Sequence, residues 1–138
     1  MLNLWLDFEA EVTDEQSLLN GRRLLSIDGE SQIDHETWAV SLSFERPKSP
    51  AGPIEEGDLT LTGQSGTLVG GLASGRIDIA IDEMQGDERD VFELSFRPLA
   101  EDGELEDAEG RIEVTGSLSG AAASLRINLR LNGERCLG

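Results

Sequence analysis

The chain has 138 residues, enough for one domain with a hydrophobic core. Its 28 acidic residues against 11 basic ones give a formal charge of −17. A surface this negative repels phosphate, which argues against nucleic-acid backbones and anionic membranes as partners. Apolar residues make up 38% and aromatics 4%, so the core must be aliphatic, and the 16 glycines suit short strands and tight turns. Ten of the basic residues are arginine; Lys48 is the one lysine.

Cys136 is the single cysteine, so an intrachain disulfide is impossible. The start, Met-Leu-Asn-Leu-Trp-Leu-Asp, lacks a basic segment ahead of its apolar residues and does not read as a signal peptide. No run approaches the ~20 apolar residues of a membrane helix. The expectation is a cytoplasmic protein.

In chain order, Leu2, Leu4, Leu6, Phe8, Ala10 and Val12 form one apolar face opposite Asn3, Trp5, Asp7, Glu9 and Glu11. That is a half-buried strand. Thr13-Asp14-Glu15-Gln16 matches a capping box and predicts a short helix ending at Gly21. Asp28-Gly29 reads as a two-residue hairpin turn. The next strand puts Trp38, Val40, Leu42 and Phe44 on one face, then stops at a loop carrying three prolines between Pro47 and Pro53.

Gly57 to Asp82 holds two more alternating strands, with Leu59 and Leu61 at one end and Ile77, Ile79 and Ile81 at the other. The glycines from Gly66 to Gly75 predict a turn or bulge between them. Val91 to Phe96, Arg111 to Ser117 and Leu125 to Leu131 complete the set. The side chains expected in a common core include Leu4, Leu6, Phe8, Ile77, Ile79, Leu94, Phe96, Ile112, Val114, Ile127 and Leu129.

Segments repeat. Leu42-Ser43-Phe44 matches Leu94-Ser95-Phe96, Gly57 to Gly63 matches Gly110 to Gly116, and Arg76-Ile77-Asp78-Ile79 matches Arg126-Ile127-Asn128-Leu129. The organisation read from this is a single β domain over 1–138. It comprises an N-terminal strand pair (1–35), one repeat unit (36–82) and a second (89–132). The fold class is all-β: about eight antiparallel strands as a small barrel or a two-sheet sandwich, with at most one short helix. A parallel α/β sheet is excluded because no long helical pattern separates the strands.

Chemistry-bearing patterns are sparse. His35, the only histidine, is flanked by Asp34 and Glu36 in a turn, where surface placement is the simpler reading than a catalytic base. There is no Gly-x-Ser-x-Gly elbow and no phosphate-binding glycine motif. No catalytic residue, cofactor or metal site is assigned. One histidine and one cysteine do not make a zinc site. Acids cluster at Asp82-Glu83, Asp87-Glu88 and Glu101 to Glu109 without the spacing of a calcium loop.

Trp5 stands on the polar face of its strand, either covered by the Ser17 to Asn20 segment of its own chain or used as a subunit contact. Arg76, Arg126 and Arg130 either make charge ladders across strands or line a polar cavity, if those faces close inside a barrel. Two functions follow. One is a non-catalytic assembly or protein-interaction module that self-associates or binds another protein. The other is a small barrel whose cavity takes an organic ligand, or shapes one as a cofactor-free cyclase or isomerase.

Overall fold

The computed structural model describes residues 2–33, 35–49, 51–63, 66–81, 88–99 and 109–132. All of its regular structure is strand: β1 (Leu2–Ser17), β2 (Arg23–Ile33), β3 (Glu36–Arg46), β4 (Gly52–Pro53), β5 (Gly57–Gly63), β6 (Gly66–Ile81), β7 (Glu88–Leu99), β8 (Glu109–Ser119) and β9 (Ala122–Asn132). Eight of these follow one another around an antiparallel ring that closes through the β6–β7 and β9–β1 pairings, while β4 adds a short ninth segment beside β6. The fold is therefore a closed up-and-down barrel.

Period-two alternation creates the barrel because, along the long strands, the inward-facing alternate positions are mostly apolar side chains or glycine. Leu6, Phe8, Ile27, Leu42, Phe44, Leu59, Ile77, Phe96, Ile112 and Ile127 are fully or almost fully buried in one continuous cluster. Phe44 and Phe92 meet in its interior with ring centroids 5.2 Å apart. Two expected core positions differ. Leu4 is only partly buried, and Ile79 is exposed together with Ile81. Both isoleucines stand opposite acids, Ile79 across from Asp90 and Ile81 across from Glu88, beyond the Gly52–Pro53 segment that covers Ile77 and Arg76.

The predicted helix is replaced by more strand. Asp14 to Ser17 pair with Ser26 to Arg23 after a register shift between Val12 and Asp14. The extra residue, Thr13, turns its hydroxyl to the Asp28 carboxylate and the Ser26 carbonyl. Asp28-Gly29 is also not a turn. It lies inside β2, with Gly29 opposite Ala10. A Cβ on Gly29 would sit 2.8 Å from the Ala10 Cβ, so glycine is required there for close approach. β3 begins later, at Glu36, and just before it His35 is exposed and takes a left-handed backbone with φ 66°. The glycines of Gly66 to Gly75 lie within the single strand β6, which carries an irregularity between Leu72 and Ser74.

β1 and β6 are corner strands of 16 residues each. The first part of β1, Leu2 to Glu11, pairs with β9 and the second, Ala10 to Ser17, with β2. In the same way β6 pairs with β5 over Gly66 to Gly71 and with β7 from Val69 onward. The matching sequence segments fall on β3 and β7, β5 and β8, and β6 and β9. Each match steps three strands around the ring, so matched strands run in opposite directions.

Candidate functional site

The polar side chains excluded from the core form ordered rows on the outer wall. Pairing across β1, β9, β8, β7 and β6 aligns Asp7, Arg126, Thr115, Glu93 and Arg76 in one row. The neighbouring row is Glu9, Ser124, Ser117, Val91 and Asp78. These rows line a groove of about 960 Å³ on the outer wall. Thr115, Ser117 and Ser124 give it a floor of small residues, while Glu30 and Ser31 of β2 close one flank.

Arg126 donates from Nε to Asp7 at 2.9 Å, and Arg76 donates from Nε to Asp78 at 2.9 Å. Each guanidinium is raised above its ordinary pKa, first by that hydrogen bond and then by the partner's charge; Glu93 adds to the effect on Arg76. These cations stay charged in any ordinary buffer. Arg89 also lines the groove and makes no ion pair among the described residues. The lining contains hydroxyls, carboxylates and guanidiniums but no histidine or cysteine. Among the described residues, no group of three or more metal-ligating side chains comes together. Cys136 and the acidic stretches 82–87 and 101–108 lie outside the described residues.

Arg76 and Arg126 thus share one groove, but on the outside of the barrel; the interior is filled by the apolar core, which is not purely aliphatic as expected but buries all four phenylalanines and Trp38. The polar face lies outward because the inward positions of the same strands are Ile77, Leu125, Ile127 and Leu129. Arg130 sits apart from the groove. Its Nε donates at 2.7 Å to Asn128 Oδ1, and Asn128 Nδ2 donates to Asn3 Oδ1 at 2.8 Å and to the Leu4 carbonyl at 3.3 Å. Asn128 is 2% exposed and is the one buried polar side chain among the described residues. Sequence reading passes over it, since an asparagine between two arginines carries no signal of burial.

Trp5 lies directly opposite Asn128 and is 55% exposed. The Arg126 guanidinium carbon is 5.7 Å from its ring centroid, a cation–π distance. Nothing from residues 18–22 covers it, because that turn is at the far end of β1.

The charges are unevenly spread. β6 to β9 carry six arginines and six acids and are neutral as a group, whereas β1 carries Asp7, Glu9, Glu11, Asp14 and Glu15 and no basic residue. No helix among the described residues is long and apolar enough to cross a membrane. No protein-family model matches the chain, and the comparisons with curated proteins and with solved structures give no match.

Proposed function

We propose that this chain is a non-catalytic, cytoplasmic protein-interaction module that self-associates through the outer wall of β1 and β9, with Trp5 at the centre of the contact. The observation that carries this reading is the half-exposed indole in a locally balanced surface. A charge of −17 drives copies apart, but Arg126 lies against the Trp5 ring, and Arg126 and Arg130 on β9 offset the neighbouring Asp7. Tryptophan and arginine are the residues that anchor interfaces. Sedimentation at tens of micromolar tests the reading: wild type associates, and Trp5→Ser shifts toward monomer with an unchanged circular dichroism spectrum. A monomeric wild type refutes it.

A second reading is supported by the groove, whose ~960 Å³ is in the range of small-molecule sites. An organic ligand would bind on the outer wall between Arg126 and Arg76, outside the filled interior. A ligand screen by melting temperature, repeated with Arg76→Ala and Arg126→Ala, tests it. Stabilisation that both variants abolish supports this reading, and stabilisation indifferent to them rejects it.

A further inference from the structure

The ring is closed, yet part of its wall is paired on one side only. β1 keeps its ladder with β9 from Leu2 to Glu11, but its ladder with β2 begins at Ala10 opposite Gly29. Below that point β2 continues from Glu30 to Ile33 while pairing with β3 alone. Among the described residues, Leu2 to Glu9 therefore form a strand edge of eight residues, facing a β2 segment that has turned away. In an antiparallel strand every second residue directs its N–H and C=O away from a given neighbour. Such an edge is a template for an added strand. Elsewhere on the ring the long corner strand β6 has its open side partly covered: Gly52 and Pro53 pair with Ile77 and Arg76, and Ile54 N donates to the Gly75 carbonyl at 2.9 Å. The β1 edge has no corresponding cover among the described residues.

The side chains bordering this notch identify the occupant. Glu9 and Glu30 stand on its two sides and both line the groove, and neither is in an ion pair among the described residues. Asp7 beside them is already engaged by Arg126. A second copy would bring its own Asp7 and Glu9, on a chain of net charge −17, to an edge already bordered by the unpaired Glu9 and Glu30. A basic extended segment has the complementary pattern.

We propose that the Leu2 to Glu9 edge of β1 accepts an extended, lysine- or arginine-bearing segment of a partner protein as an added strand. The segment's backbone pairs with β1 and its cations lie against Glu9 and Glu30. This is recognition by strand addition, in which the main chain gives affinity and flanking side chains give selectivity. It deepens the interaction-module reading by naming the partner's chemistry, and it stands whether or not copies self-associate through the Trp5 face.

The test uses the full chain and an acetylated, amidated octapeptide of alternating lysine and valine. Hydrogen exchange is followed on the Asn3 to Glu9 amides. In the free protein, alternate amides in this stretch exchange fast; the peptide slows them at least tenfold. Two controls keep charge and backbone apart. The same peptide N-methylated at every residue retains every cation but has no N–H to donate on either edge, and it gives no protection. The double variant Glu9→Lys, Glu30→Lys weakens binding of the parent peptide at least tenfold, while its circular dichroism stays that of wild type. The proposal is overturned if the amides are already protected in the free protein, which would mean that the chain's own residues or a second copy fill the edge. It is equally overturned if the N-methylated peptide protects as well as its parent, or if charge reversal leaves affinity unchanged.

Discussion

Gly116 tests whether the barrel interior is packed as tightly as its geometry indicates. It faces inward from β8, where a Cβ would overlap Phe92 Cζ and lie 2.8 Å from Phe92 Cε2 and 2.9 Å from Leu125 Cδ2. Carbon atoms rest at about 3.5–4.0 Å, so Gly116→Ala forces the Phe92 ring to move. That ring is 2% exposed and leans on Phe44, which blocks its retreat. Two effects oppose each other. Alanine reduces the freedom of the unfolded chain and stabilises by about 0.4–1 kcal/mol, whereas overpacking costs about 1–3 kcal/mol. Overpacking wins, with a net loss of roughly 1–2 kcal/mol, which for a chain of this size lowers Tm by about 2–8 °C. Urea or thermal melts followed by circular dichroism measure it. The decisive comparison is a double-mutant cycle with Phe92→Leu, which removes the clashing edge of the ring. The double variant should be more stable than the two separate losses predict, by about 1 kcal/mol or more. A stabilised Gly116→Ala, or strict additivity, refutes the packing argument.

Three further outcomes are expected. Ile77→Ala should cost about 2–5 kcal/mol as a core truncation, while Ile79→Ala should stay within about 0.5 kcal/mol because that side chain is exposed; similar losses at both sites would return Ile79 to the core. Tm should rise with NaCl from low salt upward, as screening over ~10 Å at 0.1 M relieves repulsion among the acids. At fixed salt EDTA should leave the melt unchanged, and a fall would mean that the acidic segments hold a cation. Replacing Asn128 with Leu should destabilise the β1–β9 seam by about 1–3 kcal/mol, since the Asn3 side chain loses its donor and Arg130 its acceptor; an unchanged melt would mean that water replaces the asparagine at no cost.

Strand content was legible because each strand needs only local alternation to declare its buried face. What local alternation cannot report is how far a face extends into the core, or where its phase resets. Ile79 continues the pattern of Ile77 faithfully, but the hairpin outruns the barrel at that point. Thr13 inserts one residue into β1 and shifts the phase, so the apolar pattern of Leu4 to Val12 stops without the strand stopping. Thr13-Asp14-Glu15-Gln16 then matches a capping box by local chemistry alone, and the pairing with β2 overrides it. Asp28-Gly29 misleads for a related reason. Glycine serves turns and close approaches equally well, and only the position of Ala10 on another strand decides between them.

The candidate site was less legible because it is a property of register. Arg76, Arg126 and Trp5 are individually visible as polar-face residues, yet nothing local indicates that Asp7, Arg126, Thr115, Glu93 and Arg76 align across five strands. The β1 edge is further still from the sequence. It exists because β2 meets β1 at Ala10 and Gly29 and then follows β3, so the same glycine contact that draws the two strands together marks where the ladder between them ends. A bulkier residue at 29 would push β2 away at its last pair with β1 and lengthen the open edge. Asp7 and Glu9, the two acids inside that edge, then take on a purpose that composition could not suggest. On a strand paired along both sides they would only be solvated charge; beside an open edge they discourage pairing with a second copy, as charged residues do on exposed strands, while leaving that edge selective for a basic one.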